Sequence, residues 1–234
     1  MEVNSQGIKP EFCKIHLDFP HKLSKMVIRF TEQRKDSGTM DYSQNSVGNC
    51  CGAWCVTRYL CLIKKLNCDT SDINFKKEGQ KIWSDVQFKT GDGAPADWVT
   101  NKYSDPWKMV DKLGGTSTVH IEPGAERTVI PDHQGLLSTL KALKSSKGRT
   151  TGKKTICGLP KGGYAIAIMH DGGGLHYLLV NRLGTDTNFE LYDPRDEHLN
   201  WTTHKIFSYL SPVKTKTKAG NQNYTFLGVF IEIK

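Results

Sequence analysis

Residues 50–66, CCGAWCVTRYLCLIKKL, constrain this chain more than any other stretch. They follow a Gly48-Asn49 turn signal, and Cys51, Trp54, Cys55, Tyr59, Leu62 and Ile63 recur at helical spacing. Arg58, Lys64 and Lys65 fall toward the exposed side and the C-terminal end, where cations complement the helix dipole. The apolar stripe is too wide for a helix lying on a surface, so the segment is expected to be a central helix packed on both sides. It opens on cysteines, where the orphan N–H groups and the dipole of a helix N-terminus favour a thiolate.

The rest of the chain changes character along its length. Residues 1–43 are polar and mixed and are expected to form an N-terminal extension, with Met26-Val27-Ile28-Arg29-Phe30 as a short strand candidate. Residues 74–88 carry Phe75, Ile82, Trp83 and Val86 on one helical face. Ser104-Asp105-Pro106 is a helix start and Gly114-Gly115 a stop, residues 117–121 alternate weakly, and Leu136, Leu137, Leu140 and Leu143 mark a further helix. From about residue 161 the pattern switches. Segments 164–169, 175–183, 189–192 and 224–233 are rich in β-branched and aromatic residues between Gly, Asn and Asp turns. Helices first and antiparallel strands second predict an α+β domain over 44–234, a helical lobe (44–160) packed against a β lobe (161–234).

Composition narrows the chemistry. No apolar stretch approaches the length of a membrane span, and residues 1–10 lack the basic-then-apolar pattern of a signal peptide. Of seven cysteines, five lie between Cys50 and Cys68, four of them on the presumptive helix. Helix neighbours make a poor disulfide framework, so free thiols in a reducing compartment are expected. No C-x-x-C pair exists and no His lies among these cysteines, so the spacing is wrong for zinc and neither a metal nor a cofactor is called for. The net charge of +8 is concentrated in a run from Lys141 through Lys144, Lys147, Arg149 and Lys153 to Lys154, and in a second at Lys205, Lys214, Lys216 and Lys218. These are solvated basic loops first, and candidates for an anionic membrane or an acidic protein surface second. No aromatic-interleaved basic motif of a nucleic-acid module is present, so no specific nucleic acid is expected.

A thiol nucleophile needs a base and an orienting group. His176 follows the Gly172-Gly173-Gly174 turn at the start of a strand candidate, and Asp193 ends the next one. The link at 181–188 is short enough for a hairpin, which sets the two side chains beside each other across neighbouring strands. A carboxylate there fixes the imidazole tautomer and supports its charged form. Gln44 lies six residues before Cys50 and offers a side-chain donor to an oxyanion. Cys55 and Cys61 read as helix core, His170 as a fallback base, and His120, His133, His198 and His204 as surface residues. Trp54 reads as core, and Trp201 as a candidate shield over the His–Asp pair.

The ordered set Gln44-x5-Cys50-x-Gly52, His176-Tyr177-x-x-Val180 and Tyr192-Asp193-Pro194 resembles the papain-like (clan CA) cysteine peptidases. The most similar branches are staphopain-like secreted proteases, double-glycine leader peptidases and type III-secreted effector proteases. The resemblance covers the helix at 50–66 and the stretch 163–194, under a quarter of the chain. It implies a papain-like fold in which Cys50 is the nucleophile, His176 the base, Asp193 the orienter and Gln44 part of the oxyanion hole. Many relatives place Gly directly after the nucleophile. Here Cys51 has that Gly, so Cys51 stays open as the alternative nucleophile.

The reading that follows is a thiol protease that cleaves a protein or peptide through an acyl-enzyme, expected to be a monomer. The short polar segment before Cys50 does not suit an inhibitory prodomain, which fits a cytosolic enzyme or a virulence effector exported by a specialised secretion system. A glutamine deamidase, a transglutaminase-like enzyme and a peptidoglycan amidase use the same triad and remain alternatives. A non-enzymatic basic binding module is the third.

Overall fold

The computed structural model describes residues 49–66, 68, 72–114, 116–127, 130–147, 150–184, 187–195, 202–206, 210–217 and 220–234. All of them lie in one compact unit, Thr39–Lys234. Gln44, Trp201 and the strand candidate at 26–30 lie outside the described residues.

The helix read from residues 50–66 is α1, Cys51–Leu62, with Cys50 as its N-cap residue. Its first two turns are enclosed: Trp54 and Cys55 are fully buried, and so is Arg58, only 5% exposed. Arg58 was expected toward solvent. A helix covered on both sides leaves no solvent face there, and Arg58 lies beside Tyr164 of the sheet. One cover is α2, Asp72–Val86. Its Phe75 meets Trp54 edge to face at 6.1 Å, and a Cβ on Gly79 would come within 2.9 Å of the Trp54 ring, so only glycine admits this approach. Burying an aromatic of this size contributes roughly 3 kcal/mol. A short α3 (Ala96–Thr100) leads to α4, Pro106–Lys112. The predicted start of α4 is present: the Asp105 carboxylate accepts from the Trp107 N–H at 2.8 Å, and Pro106 occupies the first turn. The last helix is α5, Pro131–Lys147.

The other cover is the sheet. Its strands are β1 (Thr118–Ile121), β2 (Tyr164–His170), β3 (Leu175–Arg182), β4 (Asn188–Tyr192), β5 (Thr202–Lys205), β6 (Pro212–Thr217) and β7 (Gly220–Glu232). They form one seven-stranded sheet in the order β1-β7-β2-β3-β4-β5, with β6 paired to the first half of β7, and every pairing is antiparallel. The α+β reading holds, with two additions. β1 comes from the middle of the chain and joins the sheet against β7, and β5 and β6 were not foreseen from their polar, lysine-bearing sequences.

Alternation gives the sheet two buried faces. Ile166, Ile168, Tyr177, Leu179, Val229 and Ile231 face α1 and its neighbours. Ala167, Leu178, Val180, Phe189, Leu191, Val213, Phe226 and Phe230 form a second core on the other side. β5 touches β6, so the sheet curls around that second core.

Three expectations need correction. Cys61 is joined to Cys68 in a disulfide with a Cα–Cα distance of 5.6 Å, because the chain turns back after α1 through Lys64 at positive φ and brings Cys68 beside the helix end. Cys50, Cys51, Cys55 and Cys157 are free and buried. His120 and His133 are not surface residues. His120 lies in β1, bonded to Glu232 at 2.8 Å and stacked on Phe230, while His133 is enclosed on α5. Among the described residues no helix is long and apolar enough to cross a membrane.

Candidate active site

β3 and β4 are antiparallel neighbours, with Leu179 opposite Tyr192. His176 at the start of β3 and Asp193 just past the end of β4 therefore meet at the same end of the sheet. His176 Nε2 and Asp193 Oδ1 are 2.9 Å apart, and the residues are 1% and 3% exposed. This is the hairpin geometry expected from the 181–188 link. By alternation both side chains share the phase of Leu178 and Leu191, at the mouth of the curled part of the sheet.

The start of α1 brings a thiol to this pair. Nε2 of His176 is engaged by Asp193. The thiol near enough to the ring to support its charged form is that of Cys51. Cys50 precedes it as the N-cap residue, fully buried, with no side-chain capping bond. Burial and the neighbouring Cys51 push the Cys50 thiol far up, which keeps it protonated and unreactive. Cys55 is driven the same way, by burial first, and its thiol donates to the Tyr177 carbonyl at 3.5 Å. The spacing from Gln44 favours Cys50; the geometry brings Cys51 to the imidazole, and Cys51 is the residue followed by glycine.

Gly52 explains how α1 sits so close. A Cβ at this position would lie 2.7 Å from Ser104 Cβ and 2.9 Å from Met109 Sδ. The helix start is pressed onto the turn before α4, where Tyr177 Oη also donates to the Ser104 carbonyl at 2.9 Å. Asn49 ties the approach to α1 down by donating to the Asn101 carbonyl at 3.1 Å. Cys51 Sγ thus stands at the first turn of α1, where the leading N–H groups have no intrahelical acceptor.

The charge state follows from these neighbours. Burial alone would push the His176 ring toward neutrality, but the facing Asp193 carboxylate and Cys51 more than reverse this and hold it up at about 9. Burial likewise disfavours the Asp193 charge. The His176 ring, the Tyr224 hydroxyl and the Arg195 amide outweigh it and keep the carboxyl well below the usual carboxylate range. At neutral pH the couple is imidazolium and carboxylate.

Asp193 has four donors. Oδ1 accepts from His176 and from the Arg195 N–H at 2.9 Å; Oδ2 accepts from Thr215 Oγ1 at 2.7 Å and Tyr224 Oη at 2.6 Å. The Tyr224 ring stacks on His176 at 5.1 Å and 13°. Sequence reading found neither Thr215 nor Tyr224. They arrive from β6 and β7, 22 and 31 residues beyond Asp193, and only sheet pairing brings them back. Their one signal was a Thr and a Tyr on inward strand positions, which is indistinguishable from core. The fallback base His170 is engaged differently, its Nδ1 accepting from the Gly172 N–H at 3.1 Å.

Comparison with protein-family models, with characterised proteins and with solved structures finds no match for this chain.

Proposed function

We propose that this protein is a cysteine peptidase of papain-like architecture, with Cys51 as nucleophile, His176 as base and acid, and Asp193 as orienter. The observation that carries the reading is the ordered contact Cys51–His176–Asp193 at the N-terminus of a buried helix. An imidazolium beside a cysteine at a helix start is what an attacking thiolate requires. In the proposed cycle the Cys51 thiolate adds to the acyl carbon. Leading α1 amides, with the Gln44 side chain as the expected further donor, stabilise the oxyanion. The tetrahedral intermediate collapses as His176 gives its proton to the leaving amine, which leaves an acyl-Cys51 thioester. His176, now neutral, takes a proton from water as it attacks the thioester, and Cys51 leaves as thiolate. Asp193 fixes the tautomer and orientation of the ring.

A second reading keeps the triad and changes the substrate. Cys51 is only 6% exposed and His176 is more enclosed still. A slender glutamine side chain reaches such a thiol more readily than an extended backbone does, and this favours the glutamine-directed alternatives, a deamidase or a transglutaminase-like enzyme, over the peptidoglycan amidase. A cut protein, rather than the small mass gain of an amide turned into an acid, separates the two.

The test is labelling with an epoxysuccinyl electrophile at neutral pH, mapped by peptide mass spectrometry. Label is expected on Cys51, retained in Cys50→Ala and lost in His176→Ala. Label on Cys50, or spread over Cys50, Cys51, Cys55 and Cys157 and indifferent to His176, overturns the reading.

A further inference from the structure

We infer that Tyr224 is a positioning residue for the His176–Asp193 couple, and that Arg195, anchored by Asp171, holds Tyr224 in that role; this rests on the reading of Cys51, His176 and Asp193 as the reacting group. Tyr224 does two things to the pair at once. Its ring lies nearly parallel to the imidazole, 13° between planes, so the imidazolium rests against a π face that attracts its charge. Its hydroxyl donates to Asp193 Oδ2 at 2.6 Å, beside the Thr215 hydroxyl at 2.7 Å. With two hydroxyls on Oδ2, the carboxylate cannot turn about its χ2 without losing both. Oδ1 is thereby left facing Nε2, and the ring is held beside Cys51. Burial and the facing carboxylate push the Tyr224 phenol far up, so it remains a donor throughout the working pH range.

The outer half of the arrangement fixes Tyr224 itself. The Arg195 guanidinium lies 5.8 Å from the Tyr224 ring centroid, and its Nη2 is 2.6 Å from Asp171 Oδ2. Asp171 Oδ1 accepts from the N–H groups of Gly173 and Gly174, both at 2.9 Å, in the turn that leads into β3 two residues before His176. The Arg195 backbone N–H meanwhile donates to Asp193 Oδ1. The contacts close a circuit from the turn before His176, through the residue after Asp193–Pro194, to β7 and back to the couple. Packing alone does not call for it: a phenylalanine would fill the site at 224, with no buried hydroxyl to satisfy.

The experiment measures Cys51 alkylation by iodoacetamide between pH 5 and 10 in wild type, Tyr224→Phe, Tyr224→Leu, Thr215→Val and His176→Ala, with thermal unfolding in parallel. The wild-type ratio of the rate at pH 6 to the rate at pH 9 is the reference for each variant. In Tyr224→Phe the rate at pH 6 is expected to fall about tenfold relative to its own rate at pH 9, the worth of a hydrogen bond to a charged group. Tyr224→Leu, which also loses the stacked face, falls further, and Thr215→Val falls in the same direction. A residue serving only the core would alter melting and leave the pH profile unchanged. Tyr224→Phe preserves the packing and keeps the test valid where Tyr224→Leu does not fold. If the profile of Tyr224→Phe superimposes on wild type while that of His176→Ala collapses, the inference fails and the site stands. If His176→Ala itself keeps the wild-type profile, the site reading fails and takes the inference with it.

Discussion

Replacing Asp193 by Asn is the sharpest test of the charge state at this site, because its effect on stability depends on pH in a direction the geometry dictates. The His176 ring is raised from its ordinary 6.5 to about 9. At about 1.4 kcal/mol per pKa unit, the charged ring contributes on the order of 3 kcal/mol to the folded state. A raised pKa means that the folded protein holds a proton the unfolded chain releases. The contribution is therefore complete below pH 6.5 and is lost as pH climbs through about 9. The depressed Asp193 carboxyl sets the opposite edge: its contribution is present above its ordinary 3.8 and is lost in strong acid, as pH falls through the folded value. In Asp193→Asn the ring keeps its burial and loses its counter-charge, so it sits neutral. The stability deficit of the variant is expected to be at least about 3 kcal/mol larger at pH 5.5 than at pH 10, where the loss of the carboxylate's bonds to Thr215, Tyr224 and the Arg195 N–H remains. Urea unfolding followed by tryptophan fluorescence at four pH values measures it, with Trp54, buried within α1, as a reporter. Other titrating groups cancel in the difference between the two proteins. A deficit that stays constant from pH 5.5 to 10 refutes the imidazolium–carboxylate assignment.

Two further outcomes follow from packing and burial. Gly52→Ala forces a methyl to within 2.7 Å of Ser104 Cβ at the start of α1. It is expected to cost about 1–3 kcal/mol in chemical denaturation and to slow Cys51 labelling. Gly135→Ala in α5, where the new Cβ meets only Trp98 Cζ2 at 3.6 Å, is expected to be neutral or to stabilise by up to about 1 kcal/mol; equal costs at the two sites would sink the packing argument. Burial pushes the His133 ring down to about 4 from its ordinary 6.5. A depressed His is protonated first in the unfolded chain, so up to about 3 kcal/mol of stability is lost as pH falls from 6.5 through about 4. His133→Leu is expected to flatten that acid limb in unfolding curves taken between pH 4 and 7, and an unchanged limb counts against it.

Much of this architecture was legible in local patterns. The wide apolar stripe of α1, the Asp105-Pro106 start of α4 and the apolar, β-branched and aromatic runs of β2, β3, β4 and β7 are properties of short windows. Their length and the turn residues that bound them report them, although α1 and the central strands are buried on both sides. The His176–Asp193 contact was legible because a short link between two such runs leaves little choice but a hairpin. The strands β5 and β6 were not, because their Lys and Thr residues dilute the apolar signal and partners elsewhere in the sheet supply the pairing. The disulfide was missed because Cys68 returns to the helix end only through the turn at Lys64.

By itself, then, the sequence determined the order helix-then-sheet, the helix that carries the thiols, and the candidate His and Asp. Which thiol meets the His was decided by tertiary structure alone. Successive residues on a helix point about 100° apart, so Cys50 and Cys51 are one step apart in the chain and face different surroundings. Only the seating of α1, with Gly52 pressed onto Ser104 and Met109, sets its rotation and turns Cys51 toward His176. The supports around the couple have the same origin. Thr215, Tyr224 and Arg195 come together with Asp193 where a curled antiparallel sheet returns distant strands to one end, and no local window of sequence encodes that meeting.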